Sequence, residues 1–226
     1  VGIFSYPIHH SLSPVFHNAA FAKLGLNFIY LPFSVKPKDL KEAVQAIKSL
    51  GIVGVNVTIP HKEKILPYLD EISPEAKLIK AVNTVHNKKG KLIGYNTDGE
   101  GFLGSLRKEG KFNPEGKNVF MVGAGGAAHA ISFALIKAGI KKLTFTNHPF
   151  VFKRARVLFK HLKNAFKDRC ELLLIDFHKR NSRGILNKVD LFVNATSAGM
   201  RSSEDQLLIN LDLFSPEVFI YDVVYN

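Results

Sequence analysis

Residues 119–130 read VFMVGAGGAAHA, an apolar, strand-like run that breaks into glycines and re-emerges as an alanine-rich helix start. A parallel strand that feeds a helix through G-x-G-x-x-A presents bare backbone N–H groups at a helix N-terminus, where a pyrophosphate can sit. On this reading Gly123 allows the tight turn and Gly125 removes a Cβ that would collide with phosphates. Ala128 then lets helix and strand pack closely. A tight turn between strand and helix can use glycine for geometry alone, so the strand before and the helix after carry the dinucleotide reading. About half the chain precedes this stretch, which places a substrate-handling domain first.

The bulk properties bound the answer. A chain of 226 residues with 46% apolar content can bury a substantial core and suits two modest domains. It has no run of about 18 uncharged apolar residues and no basic segment followed by an apolar one at its start, so neither a membrane span nor a secretory signal is expected. Val1 in place of methionine suggests a processed, trimmed or partial product. The one cysteine, Cys170, excludes an intrachain disulfide and a cysteine-cluster metal site, and cytoplasm is the simplest compartment. No metal is expected. The net charge of +12 is compatible with nucleic-acid binding, but the lysines are spread along the chain with no recognised nucleic-acid motif. An anionic substrate with a phosphorylated cofactor also favours a basic field, as does a plain lysine-rich surface. No heptad or apolar seam fixes an oligomeric state.

The first hundred residues alternate between strand-like and helix-like segments. VGIFSYP reads as a strand, and SPVFHNAAFAKLG as a helix with Ser13 as N-cap and Pro14 at its first position. NFIYLPFSV is a second strand, and Leu40, Ala43, Val44, Ile47 and Leu50 recur at helical spacing. IVGVNVTIP follows as a strand, then KEKILPYLDEI and PEAKLIKA as short helices. AVNTVHNKKGKLIGYNT reads as a hairpin turning at Lys89 and Gly90. This order predicts a mainly parallel, doubly covered α/β sheet over residues 1–98. Residues 99–226 read as a Rossmann-type dinucleotide-binding domain, with strands at 118–122, 143–146 and 172–175 and further strands in LFVNATS and VFIYDVVY. Helices are expected at 101–110, 127–138 and about 154–163, and HKRNSRG (178–184) as a solvated loop.

An NAD-selective fold usually places Asp or Glu about 20 residues past the glycines to hold the ribose 2′-hydroxyl. Here Asn147 and His148 occupy that place, no carboxylate occurs from Gly116 to Lys167, and Lys153, Arg154, Arg156 and Lys160 follow. A 2′-phosphate would be attracted there, which favours NADP over NAD. These cations also suit the exposed face of an amphipathic helix.

Carbonyl reduction by hydride transfer needs a proton donor beside the oxygen, because an alkoxide forming in a dry site is costly. Three polar clusters stand at expected strand or loop ends: Ser11 and Ser13 in SLSP; Asn56, Thr58, His61 and Lys62 in NVTIPHK; and Asn96, Thr97 and Asp98 in NTDG. A lysine and an aspartate brought to one cleft make a donor pair, the carboxylate orienting the ammonium. Each cluster also has a purely structural reading, as helix cap, helix opening or Asx-turn.

Together these pieces resemble the shikimate dehydrogenase family, which also includes quinate/shikimate dehydrogenases. YPIHHSLSP with His17 and Asn18, GVNVTIPHK (54–62), AVNTV (81–85), YNTDGEG (95–101), GAGGAAHA (123–130), NATSAGM (194–200) and YDVVY (221–225) occur in family order along nearly the whole chain. The resemblance implies NADP-dependent, reversible reduction of 3-dehydroshikimate to shikimate, a step toward chorismate and the aromatic amino acids. It implies Lys62 as catalytic lysine and Asp98 as its partner, and Ser11, Ser13 and Tyr225 around the substrate carboxylate. Thr58, Asn83 and Asp98 match residues that bind the ring hydroxyls. Gly123, Ala124, Gly125, Gly126 and Ala127 match the diphosphate loop, Asn147 the adenosine-ribose contact, and Thr196, Ser197 and Val223 the wall near the nicotinamide. A hydroxyl-rich monoanion suits a polar cradle with one lysine, and oxidation, in which Lys62 must accept a proton, should gain from raised pH. The family usually continues its ribose-binding asparagine as N-R-T, whereas this chain has Asn147, His148 and Pro149; Lys153 or Arg154 can substitute for the arginine. The chain stops after the last motif, where the family continues with a glutamine-bearing segment and helices, so a missing C-terminal segment is expected. The alternatives are a quinate/shikimate dehydrogenase with mixed NAD/NADP use, a catalytically weak cofactor-binding fragment, and a basic nucleic-acid-binding protein.

Overall fold

A computed structural model describes residues 1–8, 11–199 and 209–224. The chain divides into two compact units, Val1–Thr97 and Asp98–Asn226.

In the first unit the elements run β1 (Gly2–Ser5), α1 (Ser13–Lys23), β2 (Leu31–Ser34), α2 (Leu40–Ser49), β3 (Gly54–Val57), β4 (Glu71–Ile72), α3 (Pro74–Ile79), β5 (Thr84–Lys88) and β6 (Lys91–Tyr95). They build one mixed sheet in the order β2-β1-β3-β5-β6-β4. β2, β1 and β3 are parallel, β5 and β6 form an antiparallel hairpin beside them, and β4 returns parallel to β6. The hairpin turns at Lys89 and Gly90, whose φ angles of 54° and 87° give the primed turn that matches strand twist. Asn87 Oδ1 accepts the Gly90 N–H at 2.8 Å. α2 lays Leu40, Val44 and Ile47 onto Phe4, Val55, Val57, Val85 and Leu92 of the sheet. α1 by contrast buries only Ser13, and Val15, Phe16, Phe28 and Ile29 are exposed.

β2 is an edge strand. Its Leu31 N–H and the following Val35 N–H donate to Val1 and Ser5, so strand alternation turns positions 32 and 34 outward. Pro32 therefore stands where its missing N–H would have had no partner.

Three local readings are corrected. Ser13 is the first helical residue rather than the cap; Leu12 holds that place without a side-chain cap bond. No α-helix forms over 62–72: a turn, a 3₁₀ turn (Leu66–Tyr68) and the two-residue β4 replace it, because Pro67 interrupts the run and residues 71–72 pair with β6. HKRNSRG is not simply a loop, since it overlaps a 3₁₀ turn (Phe177–Lys179) and a short helix (Arg183–Leu186).

The second unit runs α4 (Asp98–Lys108), β7 (Asn118–Val122), α5 (Gly126–Lys137), β8 (Lys142–Thr146), α6 (Phe152–Phe166), β9 (Glu171–Leu174), α7 (Arg183–Leu186), β10 (Leu191–Asn194) and β11 (Phe219–Asp222). Its sheet is parallel throughout the described residues, in the order β11-β10-β7-β8-β9. α5 is buried from Ala128 to Ile136. α4 approaches it closely at Gly99, where a Cβ would lie 2.9 Å from the Ala130 carbonyl oxygen. α6 is amphipathic, with Ala155, Leu158, Leu162 and Phe166 inward and lysines outward. Cys170 is buried, and burial pushes its thiol up to about 11, which keeps it protonated and inert. Among the described residues no helix is long and apolar enough to cross a membrane.

Candidate active site

Strand direction gathers the candidate residues of the first unit. β1 and β3 are parallel neighbours, so the segments leaving their C-terminal ends emerge at the same sheet edge. β5 runs antiparallel to β3 and starts at that edge; β6 runs antiparallel to β5 and ends there. Ser11 and Ser13 follow β1, Thr58 and Lys62 follow β3, Asn83 precedes β5, and Thr97 follows β6. Open α/β sheets bind ligands at such an edge.

Hydrogen bonds tie these segments together. Ser5 Oγ donates to the carbonyls of Pro7 (3.1 Å) and Ile59 (2.9 Å), and the Tyr6 N–H donates to Ile59 at 3.2 Å. Ser11 Oγ accepts the Ser13 N–H at 3.3 Å. The Thr58 carbonyl accepts the His61 N–H at 2.8 Å, and the Lys62 carbonyl accepts the Val82 N–H at 2.8 Å. The backbone of the half-buried Lys62 is thereby held next to the Val82–Asn83 step. Asn83 is buried. Its Oδ1 accepts from Thr84 Oγ1 and from the Thr97 N–H, each at 3.0 Å, and its Nδ2 donates to Thr97 Oγ1 at 3.0 Å. Asp98 follows Thr97 directly and opens α4 in the second unit.

His61, fully buried, lies beside Lys62 in sequence. Its Nε2 is 2.8 Å from the Val35 carbonyl, which accepts its proton, while Nδ1 is buried without a partner. Burial holds this imidazole below its ordinary pKa of 6.5; the Val35 carbonyl opposes that shift and Lys64 adds to it. Held through Nε2 by the Val35 carbonyl, His61 pins the turn.

In the second unit, Gly123, Asn147, the Thr196–Ser197 pair and Val223 all follow C-terminal strand ends of the parallel sheet and so share one edge. Chain order reverses between β7 and β10, which makes the crevice at their C-terminal ends a topological switch point. Gly123 has φ +122°, and a Cβ on it would lie 2.5 Å from the Ala195 carbonyl oxygen. The turn therefore needs glycine twice over, for its backbone angle and for the close approach of the segment after β10. Gly125 differs. It is the N-cap of α5 at φ −88°, makes no side-chain cap bond, and a Cβ on it would stand in open space. The first turn of α5 contains no acid. Bare N–H groups, no capping side chain and no carboxylate suit a diphosphate, so these residues fit a dinucleotide.

Asn147 is buried, and its Oδ1 accepts the His148 N–H at 2.9 Å. The His148 ring packs between Phe150 (5.1 Å) and Phe177 (5.3 Å), and Lys153 and Arg154 are exposed on the first turn of α6. Thr196 is shaped by residues that sequence reasoning did not single out. Asn194 Oδ1 accepts from Thr196 Oγ1 at 2.7 Å and from its N–H at 3.1 Å, and Asn194 Nδ2 donates to the Asp222 carboxylate at 3.1 Å. Asn194 and Asp222 thus lock the ends of β10 and β11 together. The signal lay in the NATSAGM and YDVVY motifs, whose anchors are their first polar residues. Tyr225 lies outside the described residues. No cluster that could hold a metal ion occurs among the described residues.

A family model described as the shikimate dehydrogenase substrate binding domain matches residues 3–85. The chain is 44% identical over 226 residues to the shikimate dehydrogenase (NADP(+)) of Alkaliphilus metalliredigens, covering 100% of this chain and 78% of that protein. Shikimate 5-dehydrogenase from Listeria monocytogenes, solved in complex with shikimate and NAD, is 39% identical with a TM-score of 0.88, covering 100% of this chain and 78% of the other. Quinate dehydrogenase from Corynebacterium glutamicum, in complex with NAD, is 30% identical with a TM-score of 0.87, covering 99% and 79%.

Proposed function

The chain is an oxidoreductase of the shikimate dehydrogenase family, and on that premise we propose that it interconverts 3-dehydroshikimate and shikimate with NADP. When bound, the nicotinamide supplies or accepts the hydride. Lys62 gives its Nζ proton to the carbonyl oxygen during reduction and takes the hydroxyl proton back during oxidation, which releases one proton to solvent. Asp98 holds the ammonium and, with Thr58 and Asn83, binds ring hydroxyls. Ser11, Ser13 and Tyr225 hold the substrate carboxylate. Gly123 to Ala127 receive the diphosphate and Asn147 the adenosine ribose; His148, Lys153 and Arg154 face the 2′-phosphate, and Thr196, Ser197 and Val223 line the nicotinamide. The observation that carries this reading is the convergence of the Ser11, Thr58–Lys62, Asn83 and Thr97 segments on one sheet edge, a polar cradle with Lys62 in its turn.

Shikimate-dependent NADP reduction by the parent chain and by Lys62→Ala tests it. Removal of a general acid–base group should cost at least about a hundredfold in kcat, with NADPH binding retained. A Lys62→Ala rate within a few-fold of the parent would remove Lys62 from the chemistry, and an inactive parent that still binds NADPH would leave a cofactor-binding fragment. A second reading, quinate/shikimate oxidation with mixed NAD/NADP use, draws on the aromatic packing of His148 where the family has arginine. The ratios of kcat/KM for NADP against NAD and for shikimate against quinate decide between the two.

A further inference from the structure

The His17–Asn18 pair and Asn56 have no role in the chemistry above, yet they belong to one connected structure. Asn18 clamps the backbone of Tyr30 from both sides: its Nδ2 donates to the Tyr30 carbonyl at 3.0 Å and its Oδ1 accepts the Tyr30 N–H at 2.7 Å. His17 stacks on the Tyr30 ring, with centroids 4.4 Å apart and planes within 12°. The buried Tyr30 hydroxyl then donates to Asn56 Oδ1 at 2.7 Å. The orientation of the Asn56 amide is set by the Asn83 carbonyl, which can only accept. The Asn56 Nδ2 is turned to Thr84 Oγ1 (3.2 Å) and the Asn83 carbonyl (3.4 Å). Thr84 Oγ1, receiving a proton from Asn56, has its own proton for Asn83 Oδ1 at 3.0 Å. Asn83 Oδ1 also accepts the Thr97 N–H, and its Nδ2 faces Thr97 Oγ1.

Every donor in this line points the same way, from Tyr30 to Asn83. An asparagine amide is nearly symmetric in shape, so only its partners distinguish oxygen from nitrogen. The Thr97 N–H, a donor only, sets which end of the Asn83 amide is oxygen, and the geometry points to Tyr30 as a positioning residue that, through Asn56 and Thr84, holds that amide in place beside the ring hydroxyls of the substrate. This rests on the dehydrogenase reading, in which Asn83 touches substrate. The clamp by His17 and Asn18 holds the origin of the line in place. Without the Tyr30 hydroxyl, Asn56 Oδ1 loses its partner, and the Asn56 and Thr84 side chains that brace Asn83 are held less firmly.

The test uses Tyr30→Phe, which keeps the ring on His17, with Thr84→Val and Thr84→Ser. The expected result is a rise of about five- to tenfold in KM for shikimate in Tyr30→Phe and in Thr84→Val. KM for NADP should be unchanged, Thr84→Ser should be close to the parent, and Tyr30→Phe with Thr84→Val together should be little worse than either alone. A shikimate KM within twofold of the parent in Tyr30→Phe would overturn the proposal. So would a parallel rise in both KM values, which marks general loosening, or full additivity in the double variant. The Asn83 side-chain amide signals in NMR supply a readout free of turnover, expected to shift or broaden in Tyr30→Phe and overturning the proposal if unmoved. A parent without shikimate oxidation would refute the dehydrogenase reading, and the amide signals would still report whether the line orders Asn83.

Discussion

Gly123 and Gly125 of the nucleotide turn look equivalent in sequence, and the structure separates them. In Gly123→Ala the new Cβ meets the Ala195 carbonyl oxygen at 2.5 Å and carbon at 2.7 Å, both backbone, at a φ of +122°. The backbone strain costs about 1–3 kcal/mol, and displacing a packed main chain about 1–3 kcal/mol more. At about 2–4 °C per kcal/mol for a chain of this size, the melting midpoint should fall by about 4–24 °C. In Gly125→Ala the Cβ enters open space at φ −88°. A poorer N-cap costs up to about 1 kcal/mol, and the loss of unfolded-state freedom returns about 0.4–1 kcal/mol. The midpoint should therefore stay within about 4 °C. A methyl group at that N-terminus displaces a diphosphate from its N–H donors, and charged hydrogen bonds contribute about 1.5–3 kcal/mol, so NADPH should bind about 10- to 150-fold more weakly. Thermal melts and NADPH fluorescence titration read the two effects separately. Parent-like NADPH affinity in Gly125→Ala, or a parent-like melt of Gly123→Ala, would refute the assignment.

Two further predictions concern pH. Burial lowers the pKa of both His61 and His17 below 6.5, so below that value the unfolded chain binds more protons; stability is whole above it and is lost as pH falls toward the lowered native values. The urea midpoint should drop between about pH 7 and 5, and less so in His61→Gln, which the same slope in both proteins would contradict. The Asp70 carboxyl is held below its ordinary 3.8 first by the hydrogen bond from Lys48, then by the Leu92 N–H at 2.7 Å. Its stabilisation is present above 3.8 and lost as pH falls through the depressed value. Because the side chain is 39% exposed, solvent screening limits Asp70→Asn to well under about 1 kcal/mol. The difference from the parent in denaturant melts should be visible at neutral pH and vanish in acid; no difference at neutral pH would count against it.

What the sequence made legible is what repeats locally. The strand at 118–122 is where its apolar run placed it, and the Lys89–Gly90 turn follows from residues that tolerate or favour positive φ between two alternating segments. The reading failed where a distant partner decides. Residues 71–72 pair with β6 despite helical neighbours. Ser13 is drawn toward Ser11 rather than capping a helix. The close approach of Ala195 to Gly123 joins residues 72 positions apart, and no periodicity in either segment announces it. The Tyr30–Asn56–Asn83 line was invisible for the same reason: Asn56 and Asn83 stand out in separate motifs, and nothing in either points to Tyr30 until the sheet brings them into line.

Pro32 has a consequence for how the protein avoids itself. Beside it lie exposed Phe28 and Ile29, the kind of apolar flank that makes an open strand sticky. A neighbouring chain seeking to extend the sheet along β2 would need outward N–H donors at positions 32 and 34, and the first does not exist. The opposite edge is closed by other means: β4 offers only two residues, one of them Glu71 in an ion pair with Lys91. Among the described residues the first sheet therefore ends at six strands, stopped by an absent hydrogen at one border and by brevity and charge at the other.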